Sequence, residues 1–130
     1  MIEFRIDTMS GISPYRQIVN QVRQSLQLGM LHEGDQLPTV KEVVAAVAIN
    51  PNTVLKAYRE LEYEGLAEGR PGVGTFITRT LAGPSLAAQR AVRKDLERCL
   101  AKARLAGLDD DSITAVFEDT LRSGRAKGAA

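Results

Sequence analysis

Apolar residues recur along this 130-residue chain in two periods, and the switches between them mark its elements. Ile2, Phe4 and Ile6 alternate with charged or polar neighbours, the period-two pattern of a short strand. Ser13-Pro14 reads as an N-cap followed by a first helical position. The helix behind it carries Tyr15, Ile18, Val19, Val22 and Leu26 on one face, with Gly29 as its stop. "HEGDQLP" is a turn leading into one or two extended residues, because Pro38 disfavours helix at Leu37. Thr39 caps a second, short helix through about Val47, striped by Val40, Val43, Val44 and Val47.

Asn50 is the natural N-cap of a third helix, with Pro51 at the first position, where a missing N–H is harmless. Val54, Ala57, Tyr58 and Leu61 follow the i, i+3, i+4, i+7 rule and should face a core, and Gly65 ends the helix. "LAEGR" and "GTFITR" are two extended pieces joined through Pro71-Gly72-Val73-Gly74, a hairpin with a glycine-rich tip. Helix, helix, tight turn, helix and hairpin, in that order, describe a winged helix-turn-helix. After a hinge, "AGPSLAAQ", Val92, Leu96, Cys99, Leu100 and Ala103 form one apolar stripe. Ile113, Val116, Phe117 and Leu121 form another, behind Gly107 and an acidic "DDD" suited to a helix start. The predicted fold is therefore mainly α with a small β-hairpin. It comprises an N-terminal winged helix-turn-helix over 1–80 and a two-helix segment over 81–130, with a frayed tail at "SGRAKGAA".

Composition narrows the class without naming a function. Hydrophobic content of 44% and charged content of 25% fit a soluble domain with one modest core. The N-terminus lacks the basic-then-apolar order of a signal peptide, and no apolar run reaches membrane-spanning length, so no membrane partner is expected. One cysteine makes no internal disulfide, which fits a reducing cytoplasm. The net charge is +1; residues 1–80 hold 8 Lys/Arg against 9 Asp/Glu, and residues 81–130 hold 9 against 7. A nucleic-acid reading must therefore rest on a local patch and not on a bulk positive field.

That patch is predicted on the exposed face of the third helix: Asn50, Asn52 and Thr53, then Lys56, with Arg59 a turn later. In a helix-turn-helix the first residues of the second motif helix enter the major groove. Asparagine pairs bidentately with adenine, and threonine bonds a base or phosphate while its methyl touches thymine. Acidic caps would repel DNA there, whereas neutral amides can read it. Enzyme readings lack parts. His32 lies in a turn with no obvious partner and reads as a solvated loop residue, and Cys99 reads as a small core residue of its helix. No His/Cys/carboxylate spacing forms a metal site, and Gly72-Val73-Gly74 lacks the third glycine and the strand-to-helix setting of a nucleotide loop. No cofactor is expected.

The run "LPTVKEVVAAVAINPNTVLKAYRELEYEGL" with "GVGTFI" resembles the DNA-binding domain of GntR-type transcriptional regulators, in particular the YtrA-like branch, over residues from about Ser13 to Ile77. The resemblance implies a cytoplasmic, homodimeric DNA-binding regulator, mostly repressing. It implies contacts from three places: Lys41 after the "LP" turn, the start of the recognition helix at Asn50, Asn52, Thr53 and Lys56, and the wing tip Pro71, Gly72, Val73 and Gly74. Pro51, Leu55 and Val73 depart from positions often basic in the wider family, so few phosphate contacts and a shallow salt dependence are expected, with Arg70 and Arg79 beside the hairpin as compensation. The short C-terminal part also fits that branch, which carries two helices in place of a large effector domain.

Those two helices expose more apolar surface than one hairpin can cover, and burial is worth roughly 25 cal/mol per Å². A two-fold dimer through Val92, Leu96, Cys99, Leu100, Ala103, Ile113, Val116, Phe117 and Leu121 is expected, and with it an inverted-repeat operator of double-stranded DNA. The competing arrangement folds the stripes back on the same subunit. The competing function is a winged-helix module that docks on another protein, favoured by the near-neutral N-terminal half. Any small-molecule effector would use the dimer seam or the hinge near Gly83-Pro84; its identity is unknown.

Overall fold

A computed structural model describes residues 1–82 and 86–128; the predicted hinge at Gly83-Pro84 lies outside the described residues. Five helices and one hairpin follow in order: α1 (Pro14–Gln27), α2 (Val40–Val47), α3 (Pro51–Tyr63), β1 (Ala67–Arg70), β2 (Gly74–Ile77), α4 (Leu86–Leu105) and α5 (Asp110–Gly128). The chain divides into two compact units between Leu86 and Ala87. The first is a winged helix-turn-helix.

Its helices begin and end where local chemistry requires. α1 starts with Pro14 behind Ser13, whose carbonyl accepts from Gln17 N–H at 3.0 Å while its hydroxyl caps nothing. At the other end Gly29 takes φ +71°, letting Met30 N–H reach Ser25 O at 2.8 Å. α3 and α4 end the same way, on Gly65 and Gly107. α2 opens with a full capping box: the Thr39 hydroxyl accepts from Glu42 N–H at 3.1 Å, and the Glu42 carboxylate turns back to the Thr39 backbone. Its C-cap, Ala48, sits in the left-handed region at φ 53°, which aims the chain into the short turn before α3.

The core is a single cluster within this unit. Ile18, Val19, Val22 and Leu26 of α1, Val43 of α2, and Val54, Ala57, Tyr58 and Leu61 of α3 are all buried, closed by Leu66, Ala67 and Ile77 of the wing. Val40, Val44 and Val47 cover its edge and are only partly buried. β1 and β2 pair antiparallel with Ala67 opposite Ile77 and Arg70 opposite Gly74. The extended residues around Pro38 add a third rung. Gln36 bridges Phe76, Leu37 N–H donates to Thr75 O at 2.8 Å, and Ile77 N–H donates to Asp35 O at 2.8 Å.

Two expectations are corrected. Residues 2–6 form no strand, although Phe4 is buried and its neighbours alternate as expected. Two glutamines of α1 take the place of a partner strand. Gln21 accepts from Arg5 N–H at 2.9 Å and donates to Arg5 O at 2.5 Å; Gln17 does the same for Asp7, 2.8 Å each way. Residues four apart on a helix rise about 6 Å, and alternate residues of an extended chain about 6.6 Å, so the two amides match the segment's spacing. In the tail predicted as frayed, residues 123–128 form the end of α5, and 129–130 lie outside the described residues. Cys99 is exposed, not part of a core, because the described side chains of α4 and α5 from 87 to 125 include no buried one.

Within the second unit, Asp109 caps α5: its carboxylate accepts from Ser112 N–H at 2.8 Å, and Arg104 pairs with Asp110 at 3.1 Å. These backbone and side-chain bonds from Ser112 hold the Asp109 carboxyl below its ordinary value.

Candidate nucleic-acid interface

The first turn of α3 assigns its two asparagines different tasks. Asn50 Oδ1 accepts from Asn52 N–H at 2.8 Å, so this side chain is occupied in starting the helix. Asn52 is exposed, and its own amide bonds no described residue. Both its Oδ1 and its Nδ2 are available, the pair that a bidentate contact to adenine N6 and N7 requires. Thr53 is half-buried beside it, and Lys56 lies one turn further on the exposed side.

What holds this tip in place is buried below it. The Tyr58 hydroxyl donates to Pro38 O at 2.6 Å, tying the middle of α3 to the residue that precedes α2. Burial, reinforced by the nearby Glu42 charge, pushes the Tyr58 phenol well above its ordinary range, so it remains a neutral donor. The same contact fixes where Lys41, exposed on the first turn of α2, stands relative to α3. Beyond it, a cleft of about 270 Å³ separates α3 from the wing, lined by Thr39, Leu55, Arg59, Glu62 and Thr75 among others.

The wing tip is shaped by its glycines. Val73 N–H closes the turn on Arg70 O at 3.0 Å, with Gly72 at φ +74°. Gly74, at φ +146°, lies so close to Gln36 that a Cβ there would meet its Nε2 at 2.5 Å. Val73 stands 63% exposed at the apex, an apolar tip. Arg70 is turned along the wing. Its guanidinium lies 4.4 Å from the Phe76 ring centroid and its Nε 3.7 Å from Glu68.

The near-neutral total hides an uneven distribution. Among the described residues of the winged unit, the ion pairs are Arg23–Glu64, Arg70–Glu68 and the contact of His32 with Asp35. Lys41, Lys56 and Arg59, three of the cations singled out from the sequence, make none. Lys56 is not loose, however: its Nζ sits 3.9 Å from the centroid of the Tyr15 ring. Sequence reasoning placed Tyr15 on the apolar stripe of α1 and missed this contact, which depends on how α1 and α3 pack.

The described residues contain no group of three or more His, Cys, Asp or Glu able to hold a metal ion, and no helix long and apolar enough to cross a membrane.

Residues 14–77 match the gntR family of bacterial regulatory proteins. The transcriptional repressor YtrA of Bacillus subtilis is 34% identical over 110 residues, which span 84% of this chain and 85% of that protein. Among solved structures, a transcriptional antiterminator from Listeria monocytogenes is similar at TM-score 0.58 and 29% identity, covering 92% of this chain and 90% of the other. YtrA from Sulfolobus acidocaldarius, described as a GntR-family transcription factor, is similar at TM-score 0.54 and 28% identity, covering 75% and 97%.

Proposed function

This chain belongs to the GntR family of bacterial regulatory proteins, and on that premise we propose that it is a cytoplasmic repressor that binds an inverted-repeat operator as a homodimer. It is a transcriptional regulator with a winged helix-turn-helix DNA-binding domain, and its relatives are regulators, not enzymes. In the proposed complex the first turn of α3 enters the major groove. Asn52 reads a base edge, Thr53 touches a neighbouring base or phosphate, and Asn50 holds the turn rigid while its Nδ2 remains available. Lys41, Lys56 and Arg59 meet the backbone on either side. Gly72, Val73 and Gly74 bring the wing close to the adjacent groove, with Arg70 and Arg79 at its base.

The observation that carries this reading is the free amide of Asn52 beside the occupied amide of Asn50. A helix start needs one capping side chain, and the second asparagine has no structural task among the described residues. The homodimer is supported by the apolar faces of α4 and α5. Val92, Leu96, Leu100, Val116, Phe117 and Leu121 are 38–57% exposed in the single chain. Two-fold pairing would set two recognition helices about 34 Å apart, or a multiple of that, and dictate a palindromic site.

Selection of bound duplexes from a random pool tests both parts together. It should recover an inverted repeat whose half-sites share an adenine that Asn52→Ala no longer discriminates, a loss of about 1–3 kcal/mol at that position alone. Lys56→Ala should weaken all duplexes alike and flatten the salt dependence. A pool that yields no enriched sequence would instead favour a winged-helix module docking on another protein.

A further inference from the structure

Two cations of the winged unit contact one aromatic ring, and neither is paired with a carboxylate among the described residues. Lys56, from α3, places its ammonium 3.9 Å from the Tyr15 ring centroid. Arg16, from α1, places its guanidinium carbon 5.2 Å from the same centroid and donates from Nη2 to the Tyr15 hydroxyl at 3.3 Å. Among the described residues neither cation forms an ion pair. Tyr15 and Arg16 are half-buried and Lys56 is exposed, so the cluster opens to solvent where α1 packs on α3.

Like charges are not gathered around one ring for stability. A ring face attracts one cation, and a second close by repels the first. The arrangement makes sense when an anion arrives. Arg16 still has guanidinium N–H groups to offer, Lys56 offers its ammonium, and the Tyr15 hydroxyl, having accepted from Arg16, keeps its own proton to donate. Three donors of this kind suit a phosphate. Lys56 lies one helical turn from Asn52, about 6 Å along α3. The bound phosphate therefore belongs to the backbone beside the base that Asn52 reads.

We propose that Arg16 and Lys56 hold one phosphate of the DNA backbone between them, with the Tyr15 ring as the platform that sets the Lys56 ammonium in place. Tyr15 is thus a positioning residue as well as a donor, and Arg16 a contact from outside the helix-turn-helix. This rests on the DNA-binding reading above.

The test is the slope of log affinity against log salt for the full-length protein on the duplex recovered from the random pool. The slope changes by about 0.9 for each phosphate of duplex DNA that a variant no longer neutralises. Arg16→Gln and Lys56→Gln should each flatten it in part, and the double variant by about 0.9 in all, because one phosphate is shared; two separate phosphates would give about twice that. Tyr15→Leu should flatten it as Lys56→Gln does, and adding Lys56→Gln to it should flatten it no further. Tyr15→Phe should keep the wild-type slope, since the ring remains. Inorganic phosphate at matched ionic strength should not compete; competition abolished by Arg16→Gln would assign the site to a free phosphate and overturn the proposal. So would a wild-type slope in Arg16→Gln, or in a folded Tyr15→Leu whose affinity alone has dropped. Should Tyr15→Leu fail to fold, Arg16→Gln and the double variant decide. A wild-type protein with no salt-dependent binding would bring down the DNA reading itself, whereas unchanged slopes in variants of a binding protein bring down only the clamp.

Discussion

The winged unit and the C-terminal helices use the same vocabulary, amphipathic helices closed by glycine, with opposite results. In the first, fifteen apolar side chains from α1–α3, the wing and the flanking segments are buried together. In the second, two helices of 20 and 19 residues carry apolar stripes of similar length, and no described side chain from 87 to 125 is buried. The difference is the number of surfaces available. Three helices and a hairpin enclose a volume, while two helices leave one face of each in water. The first unit is complete within one chain; the second, in the proposed homodimer, finds its cover in a partner.

The strongest challenge to that contrast is to truncate one leucine in each. Leu61→Ala, in the closed core, should destabilise the winged unit by about 2–5 kcal/mol in urea unfolding. Leu121→Ala should leave that transition in place and weaken only self-association. Equal losses in the winged transition would mean that the two units are not separate in the way their burial suggests. Next in size, Phe117→Asp or Leu100→Asp should lower self-association at least 100-fold, about 2.7 kcal/mol or more, leaving a monomer on a sizing column and weaker operator binding. A wild-type protein that already elutes as a monomer at micromolar concentration would contradict the assignment of these faces.

Smaller changes sharpen the contrast within each unit. Tyr58→Phe removes a buried donor from Pro38 O and should reduce stability by about 1–2 kcal/mol. It should also weaken operator binding by loosening Lys41 relative to α3. In the second unit, the Asp109 carboxyl is held below its ordinary value by its bonds to Ser112. A depressed folded-state pKa means that its contribution is fully present above the unfolded value and is lost as pH falls through the folded one. The start of α5 should therefore fray in acid, below about pH 4, and in Asp109→Ala that acid step should vanish when followed by the Ser112 amide signal.

Much of the fold around the candidate site was legible because it depends on residues adjacent in sequence. Asn50-Pro51 announced a helix start, Thr39 capped α2 as read, and the glycines fell where helices stop. Several contacts that sequence reasoning missed join distant segments. The amides of Gln17 and Gln21 satisfy a segment that alternation had marked as strand, and Gln36 reaches the wing. The Lys56–Tyr15 contact spans forty-one positions, and no local pattern records it. The exposure of Cys99 belongs with these, since a stripe reveals that a residue wants cover but not whether its own chain supplies it.

By itself, the order of residues determined the helices, their caps, the hairpin and the polar tip of α3, because each follows from bond rotation and hydrogen bonding within a few residues. Tertiary structure decided which cations stand without an acidic neighbour and which apolar faces stay uncovered. Those are questions of packing between segments far apart in the chain, and burial and Coulomb interactions depend on distances that only the folded chain sets.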